Sequence, residues 1–343
     1  MIRGASILFL LCGYVSAAPA AEYWVVGDNE VVGETKVISA RYEDTFVALS
    51  NQYNVGYEAL RRANPGVDAW LPGEGTKIVI PDRLVLPRAP HRGIVVNVAE
   101  LRLYYFPAVS GPVPEGVDPK ATKVIVHPIG VGRLDWKTPL GTTTVTGKVA
   151  NPSWTPPESI RKEHAERGDI LPRVVPAGPD NPLGRFALRL GLPSYMIHGT
   201  NKSVGIGMRV THGCIRLFPE DIEAMYKMVP VGTQVRIVNQ PHKLGWGPDG
   251  LYLEAHLTLE QVAAAEEGLD EPTPEGDAQT LATTAENAEE PESLLTALTR
   301  AYVAATETRR TDVRWDFAEQ VMKDARGLPE LVSVSSSTVA ARD

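Results

Sequence analysis

The sequence predicts a mostly β protein in which two folded units precede an acidic tail. The chain has 343 residues, enough for two or three domains at roughly 150 residues each. Its 28 prolines and 30 glycines favour strands and turns over a helical bundle. The net charge is −8, and residues 254–343 alone carry 19 acidic and 7 basic residues. Generic nucleic-acid binding through a basic surface is therefore excluded.

The first 20 residues have the pattern of a secretory signal peptide. Arg3 provides the positive charge, residues 5–11 the short apolar stretch, and Ala18-Pro-Ala20 a cleavage site of small residues. The apolar stretch is too short to cross a membrane as a helix. Cys12 follows a leucine where a lipoprotein signal would have a small residue, which favours simple cleavage. We therefore expect export to the periplasm and a mature chain with Cys214 as its single thiol.

Residues 37–81 are predicted to form a small unit with the order strand, helix, helix, strand. A short strand precedes Asp44, which is placed to cap a helix whose apolar residues recur at spacings of three and four. A second helix is expected over Tyr57–Ala63, and Thr76–Ile80 is the closing strand. The proline-rich residues 82–92 are expected to link this unit to the next as independent domains.

Residues 91–240 are predicted to form a mostly β domain with one helix. Its β-type segments are rich in β-branched, leucine and aromatic residues and lie at 93–98, 101–106, 123–126, 142–146, 185–190, 195–198 and 234–238. Pro219–Met228 has the apolar spacing of a helix. Residues 151–182 are rich in proline and are expected to form an insertion that lies over the surface.

The C-terminal region, residues 241–343, is predicted to be partly disordered and partly helical. Residues 264–292 are rich in Ala, Glu, Thr and Pro, which is the composition of a disordered segment. Helices are expected near 293–310 and 312–326, with Val313, Phe317 and Val321 facing inward on the second.

The residues that point to chemistry lie between His198 and Arg216. Cys214 comes two residues after His212 and sixteen after His198. A cysteine attacks as thiolate and needs a proton acceptor, so His198, at the end of a predicted strand, is the candidate base. The N–H groups of Gly213 and Cys214 are candidates for an oxyanion hole. Arg216 offers a planar fork for a substrate carboxylate.

Two other interpretations of these residues compete with a catalytic site. A zinc site could use His198, His212 and Cys214, but the neighbouring sequence suggests no fourth ligand. Buried structural histidines are common, yet two of them beside the sole mature cysteine, in glycine-rich loops, are not typical of that role. Papain-like enzymes do not fit either, because their cysteine precedes the histidine.

His198-Gly-Thr and Thr211-His-Gly-Cys-Ile-Arg216 resemble the signature of L,D-transpeptidases with a YkuD-type catalytic domain. The resemblance extends to Thr138-Pro-Leu-Gly141 and to Val175–Pro182. It implies a YkuD-like β-sandwich for residues 91–240.

The N-terminal unit resembles a LysM module, the small βααβ fold that binds glycans containing N-acetylglucosamine. Asp44-Thr45, Ala63–Gly66 and Leu71-Pro-Gly carry this resemblance, together with the Ile78–Pro81 ending. The whole arrangement is similar to the periplasmic enzymes that anchor Braun-type lipoprotein to peptidoglycan.

The resemblance also implies the reaction. Cys214 would attack the carbonyl at the L-centre of diaminopimelate in a tetrapeptide stem, release D-Ala and leave a thioester. An amine would then resolve the thioester: the C-terminal lysine of the lipoprotein, or the side-chain amine of another stem, which gives a 3→3 cross-link. No metal or other cofactor is implied, and carbapenems would acylate the cysteine.

The resemblance assigns the site residues as follows. The implied catalytic residues are Cys214, His198, His212 and Gly213, with His198 as base and the glycine and its preceding histidine shaping the oxyanion pocket. The implied substrate-binding residues are Arg216, Gly199, Thr200 and Thr211, of which Gly199 and Thr200 would help hold their loop.

Two alternative functions use the same residues. In an L,D-carboxypeptidase, water would replace the acceptor amine. In a glycan-binding scaffold the catalytic fold would be degenerate, which the intact motif around Cys214 disfavours. The expected partners are peptidoglycan and a Braun-type lipoprotein, with no nucleic acid and no stable membrane insertion.

Overall fold

A computed structural model describes residues 20–108, 112–266 and 293–334. The expected signal peptide, apart from Ala20, and most of the expected disordered segment lie outside the described residues. Within these ranges, no helix is both long enough and apolar enough to cross a membrane. The predicted mostly β class is confirmed: the described ranges contain 18 strands and seven α-helices.

The strands and helices are numbered along the chain. The strands are β1 (Ala21–Val25), β2 (Val31–Val32), β3 (Lys36–Ser39), β4 (Lys77–Ile80), β5 (Leu84–Val85), β6 (Gly93–Asn97), β7 (Arg102–Phe106), β8 (Thr122–Pro128), β9 (Val131–Gly132), β10 (Gly141–Ala150), β11 (Phe186–Leu190), β12 (Met196–His198), β13 (Arg209–Thr211), β14 (Ile215–Arg216), β15 (Gln234–Val238), β16 (His242–Gly247), β17 (Gly250–Ala255) and β18 (Glu330–Leu331). The helices are α1 (Phe46–Tyr53), α2 (Tyr57–Ala63), α3 (Glu158–Glu166), α4 (Pro219–Met228), α5 (Leu259–Glu266), α6 (Leu294–Ala305) and α7 (Trp315–Asp324).

Nine strands form one large sheet in the order β1-β8-β7-β6-β15-β10-β11-β12-β14. Neighbours are antiparallel, except that β15 runs parallel to β6 and β12 runs parallel to β14. β10 has a bulge between Val145 and Gly147. Because a bulge bends a strand, β10 pairs with β15 over its first half and with β11 over its second. All the β-type segments predicted in residues 91–240 are strands here.

The two faces of this sheet bury different cores, because successive side chains of a strand point to opposite faces. Ile94 and Val96 of β6 belong to the core that α4 covers with Met225. Val95, between them, packs on the other face with Leu84 of β5. The expected helix α4 is therefore the element that closes one face of the sheet.

The N-terminal module, residues 37–81, has the predicted βααβ order, with β3 and β4 antiparallel. Thr45, and not Asp44, caps α1, since its hydroxyl accepts a hydrogen bond from the N–H of Ala48 at 3.1 Å. Asp44 is buried and accepts instead from the backbone and guanidinium of Arg41. Adjacent Asp and Thr are both good capping residues, and the backbone turn decides between them.

The proline-rich segment that follows is buried over residues 84–87 and is not a free linker. Leu84 and Val85 pair with β2, and the Val85 N–H donates to Glu254 at 2.6 Å. The carbonyl of Val85 accepts from Lys243. The expectation that this segment joins independent domains is therefore wrong, since its backbone is bonded into the rest of the fold.

The C-terminal unit, residues 242–266 and 293–334, has more structure than the predicted tail. β16 and β17 form a hairpin that β18 extends, and α6 and α7 pack on it around Trp246 and Leu298. Both predicted helices are present. Val313 and Val321 are buried as expected, whereas Phe317, also expected to face inward, is exposed.

Candidate active site

The parallel pair β12 and β14 brings the motif residues together. His198 on β12 lies opposite Arg216 on β14. Cys214 directly precedes β14, and an extended chain turns its side chain to the same face as that of Arg216, two residues on. One strand across and two residues along correspond to about 8 Å between the Cα atoms of Cys214 and His198. The charge of Arg216 acts on both groups, since it lowers the pKa of Cys214 and that of His198. This arrangement is the one expected for a nucleophile and a base on one face.

The Cys214 side chain is half-buried at the edge of this face. Its Sγ lies 3.6 Å from the carbonyl oxygen of Ser194. Burial raises the pKa of the Cys214 thiol, and the backbone of Met196 and the charge of Arg216 offset this only in part. The Cys214 side chain is therefore a neutral thiol at rest. Ser194, its neighbour, has a φ of 68°, an uncommon left-handed value for a residue other than glycine.

His198 is buried, and its ring is held in one orientation. Its Nδ1 lies 2.6 Å from the carbonyl oxygen of Gly199. A carbonyl only accepts, so a neutral imidazole that donates from Nδ1 to Gly199 has its lone pair on Nε2. The backbone of Leu183 also bonds to the ring. Burial and the nearby Arg216 lower the pKa of His198 to about 3. The imidazole is therefore neutral at pH 7 and can accept a proton from a thiol.

Arg216 is a largely buried cation beside both groups. Its backbone exchanges two hydrogen bonds of 2.8 Å with Gly130, which fixes the strand. Its guanidinium makes no hydrogen bond or ion pair with any residue in the described ranges, and its Nε is fully buried. Burial lowers the pKa of the guanidinium. An unpaired, partly desolvated fork of this kind is suited to a carboxylate.

His212 contacts the insertion. Its Nε2 lies 2.8 Å from Oε2 of Glu163 on α3, and its ring contacts that of Trp136 edge to face at 5.0 Å between centroids. Arg133 holds the same carboxylate at 3.0 Å. Hydrogen bonds from Arg133 and His212 lower the pKa of Glu163 to about 2. His212 thereby fastens the insertion at 151–182 to the catalytic motif.

The backbone at Gly213 differs from the expected oxyanion hole. Its N–H donates to Oγ1 of Thr211 at 3.2 Å, and its carbonyl accepts from Oγ1 of Thr138 at 2.8 Å. The Cys214 N–H, by contrast, makes no hydrogen bond within the described part of the chain. Gly213 has a φ of 99°, and a Cβ there would lie 2.7 Å from the ring of Tyr195. Of the two expected donors, only the Cys214 N–H is therefore free.

The two residues after His198 close a tight turn. The hydroxyl of Thr200 donates to the carbonyl of Lys202 at 2.8 Å and accepts from its N–H at 3.0 Å. A Cβ on Gly199 would lie 2.8 Å from the side chain of Ile222 on α4. Glycine is needed there for the loop to pass close to α4.

In the described residues, His198, His212 and Cys214 do not form a group of closely spaced metal-ligand atoms. Nδ1 of His198 faces a carbonyl, and Nε2 of His212 is bonded to Glu163. A buried group of Glu100, Glu254 and His256 has ligand atoms close to one another. Arg102 lies 2.9 Å from the carboxylate of Glu100 and 2.5 Å from that of Glu254. Lys243 lies 2.7 Å and 3.1 Å from the same two carboxylates. This group is consequently a network of ion pairs.

Four residues near the site were not predicted from the sequence: Ser194, Tyr195, Trp136 and Glu163. The first two contact Cys214 and Gly213 from the turn before β12. Trp136 lies two residues before the Thr138 motif, which is the one local signal that could have indicated it. Glu163 lies in the insertion, 49 residues from His212, and no spacing rule connects the two.

A family model and two relatives in Escherichia coli show the family to which the chain is similar. The family model of the YkuD L,D-transpeptidase catalytic domain matches residues 91–237. The chain is 44% identical over 266 residues to probable L,D-transpeptidase YbiS of Escherichia coli, across 76% of this chain and 83% of that protein. It is 46% identical over 223 residues to probable L,D-transpeptidase ErfK/SrfK of Escherichia coli, across 64% and 67%. L,D-transpeptidase 3 of Mycobacterium tuberculosis is 18% identical, across 66% and 99%, with a TM-score of 0.29.

Proposed function

The chain belongs to the L,D-transpeptidase family, and we propose that it moves the diaminopimelate end of a peptidoglycan stem from Cys214 to an acceptor amine. The observation that carries this proposal is the neutral thiol of Cys214 on one face with a neutral imidazole and an unpaired guanidinium. A nucleophile, a base and a carboxylate site together fit an acyl transfer from a peptide that bears a free carboxylate.

Acylation needs one proton transfer in each direction. His198 Nε2 takes the thiol proton as Sγ attacks the carbonyl carbon at the L-centre of diaminopimelate. The Cys214 N–H is the donor placed to stabilise the oxyanion. The same imidazole then returns the proton to the leaving amine, and free D-Ala departs as the thioester forms. Arg216 holds a carboxylate of the donor through a planar pair of hydrogen bonds.

Deacylation reverses these roles with a second amine. The amine attacks the thioester carbonyl, its proton passes to His198, and Sγ leaves as a thiol. One amide bond is broken and one is formed, so no external energy source is required. The favoured acceptor is the C-terminal lysine of a Braun-type lipoprotein, and the side-chain amine of a second stem is the other. Water as acceptor would make the chain an L,D-carboxypeptidase.

The N-terminal module is proposed to bind the glycan part of peptidoglycan, as LysM modules do. Three large side chains at one end of the module are exposed: Tyr42 at 82%, Trp70 at 65% and Leu71 at 75%. The loops that carry them are joined by a hydrogen bond of 2.8 Å from the Phe46 N–H to the Ala69 carbonyl. Exposed aromatic rings offer flat apolar surfaces with polar edges, which suit sugar rings.

Peptidoglycan as substrate places the enzyme in the periplasm. The expected signal peptide supports this location. Cleavage after Ala20 would leave β1 whole, because that strand begins at Ala21 and pairs with β8.

The test is a reaction with defined substrates. The mature chain is incubated with a disaccharide-tetrapeptide and a peptide that ends in lysine, and the products are analysed by mass spectrometry. We expect a product with the mass of donor plus acceptor less free D-Ala, and none with Cys214→Ala. Formation of a tripeptide stem alone would identify a carboxypeptidase. Undiminished product with Cys214→Ala would refute the mechanism.

A further inference from the structure

The loop between the catalytic histidine and cysteine lies against the N-terminal module. Residues 201–208 leave the turn after His198 and lead into β13, which precedes His212. The N–H groups of Tyr57 and Glu58, at the start of α2, donate to the carbonyls of Ile206 and Gly207 at 3.4 and 3.2 Å. First-turn N–H groups have no partner within their own helix. Residues 201–208, called the catalytic loop below, therefore cap the N-terminus of α2 in the N-terminal module.

Two glycines allow the backbones to touch at this contact. A Cβ on Gly207 would lie 2.3 Å from the Cα of Gly56, and a Cβ on Gly56 would lie 3.1 Å from the Cα of Gly207. Gly207 is also bonded from its N–H to the carbonyl of Ile129 at 3.1 Å. The loop is thus held between the central sheet and the module with no side chain in the gap.

A buried polar contact joins the same two parts of the molecule. Nδ2 of Asn54, the left-handed residue that ends α1, lies 3.0 and 3.2 Å from the two carboxylate oxygens of Asp221 on α4. Both residues are buried. Asp221 also faces Nδ1 of His127 at 3.2 Å. A hydrogen bond to a buried carboxylate is a strong and directional contact.

We propose that Asn54 and Gly56 are positioning residues for the acyl transfer, which act by fixing residues 201–208. Gly205 of this loop lies beside the guanidinium of Arg216, since a Cβ there would be 3.7 Å from its terminal nitrogen. The Met208 carbonyl accepts from the N–H of Val131 at 3.1 Å and leads the chain into β13. Movement of residues 201–208 therefore shifts the backbone beside the Arg216 guanidinium. It also changes the path by which a substrate reaches Cys214.

This inference rests on the proposed transfer reaction and adds a role for the module in it. The module is part of the structure that orients the catalytic loop, in addition to any sugar that it binds. Its loss would accordingly slow reaction at Cys214 even with a small soluble reagent that never contacts glycan.

Two substitutions test the contact with little strain inside the module. Gly56 has a φ of −68° and a ψ of 142°, which alanine adopts readily, so Gly56→Ala acts by pressing a methyl against Gly207. Asn54→Gly keeps the left-handed end of α1, which glycine favours, and removes the amide that reaches Asp221. Gly147→Ala is the control, because its Cβ would meet only the Arg189 side chain, at 3.9 Å.

The measurements use the full mature chain. Acylation of Cys214 by a carbapenem is followed by intact mass over a range of reagent concentrations, and hydrogen exchange is followed in residues 201–211. A shift of a few tenths of an ångström in a catalytic loop is expected to lower the maximal acylation rate about tenfold. We expect this loss in both variants, with a smaller change in the half-saturating concentration and faster exchange in the loop. The control should match the wild type.

Wild-type acylation and loop protection in both variants would overturn the inference. If one variant has a lower melting temperature than the control, the inference is judged on the other variant, by its acylation rate and its hydrogen exchange in residues 201–211. If both melt early, hydrogen exchange at a temperature where both are folded decides: unchanged protection of 201–211 overturns the inference. Because exchange does not depend on the reaction, a wild-type chain that is not acylated counts against the proposed function and leaves this test intact.

Discussion

The thiol of Cys214 and the imidazole of His198 are both neutral near pH 7. Burial raises the pKa of the thiol and, with the charge of Arg216, lowers the pKa of His198 to about 3. The pair therefore does not rest as a thiolate beside an imidazolium. The proton moves during attack, when developing charge on the substrate oxygen is stabilised as well.

The pH dependence of acylation follows from the raised pKa of Cys214 and the lowered pKa of His198. His198 stays unprotonated as the pH falls from 8 to about 5, so the acylation rate by carbapenem should be nearly flat over that range and fall only near pH 3. His198→Ala should lower the rate on the order of 10²-fold, and the remaining rate should rise with pH as thiolate forms. Stopped-time intact-mass spectrometry gives both profiles. A wild-type rate that halves near pH 6.5 would mean that His198 titrates at its ordinary pKa.

Arg216 is expected to read a carboxylate of the donor. Arg216→Lys keeps the charge but removes the planar fork, so reaction with the tetrapeptide stem should fall about tenfold or more, which corresponds to roughly 1.4 kcal/mol. Acylation by a carbapenem should fall less. Arg189→Lys, on the exposed side of β11, is the matched control. Equal losses with both reagents would indicate that Arg216 supports its strand and does not read the stem.

At the level of elements, α3 is the part of the insertion that reaches the motif. Glu163 bonds to His212 and Arg133, and Arg167 pairs with the same carboxylate. Each of these partly exposed ion pairs contributes little to stability, about 0–1 kcal/mol. Their effect is to hold a surface segment in one place beside the residue that precedes Gly213 and Cys214.

Glu163→Gln tests this attachment. The neutral amide cannot pair with both Arg133 and His212 as strongly, so we expect carbapenem acylation to slow by about three- to tenfold and residues 151–182 to be cleaved faster by protease. Glu166→Gln, an exposed residue of the same helix, is the control. If both variants behave alike, the insertion is not positioned through Glu163.

At the level of the whole molecule, a buried ionic network joins the central domain to the C-terminal unit. Glu100 and Arg102 come from the β6–β7 hairpin and its turn, while Lys243 and Glu254 come from β16 and β17. All four side chains are buried, and Glu254 also bonds the backbone of β5. The charges balance, which is the condition under which buried ions are tolerated.

Removing one charge should therefore destabilise the chain strongly. Glu254→Gln leaves Lys243 and Arg102 with too little negative charge, and we expect a loss of about 3–5 kcal/mol in the free energy of unfolding. Glu319→Gln, in an exposed pair with Lys323, should cost less than about 1 kcal/mol. Chemical denaturation of the full mature chain measures both. Similar losses in the two variants would show that the network does not hold the units together.

The sequence by itself determined the strands of the central domain, the βααβ order of the N-terminal module and the Cys214–His198 motif. These features are local: alternation of apolar residues sets a strand, and residues within one short motif lie on neighbouring strands. Glycan binding by the module, the acceptor amine and the roles of Gly199 and Thr200 stay predictions.

Only the tertiary structure decided which groups around Cys214 are free and which are occupied. The Gly213 N–H is taken by Thr211, and His212 is taken by Glu163, 49 residues away. The tertiary structure also showed that residues 82–90 and the β16–β17 hairpin pack together as parts of the folded chain. Val85 and Glu254, 169 residues apart, form one of these contacts. A charged residue in sequence is usually a surface residue. Its burial depends on partners distant in the chain, and no local pattern records them.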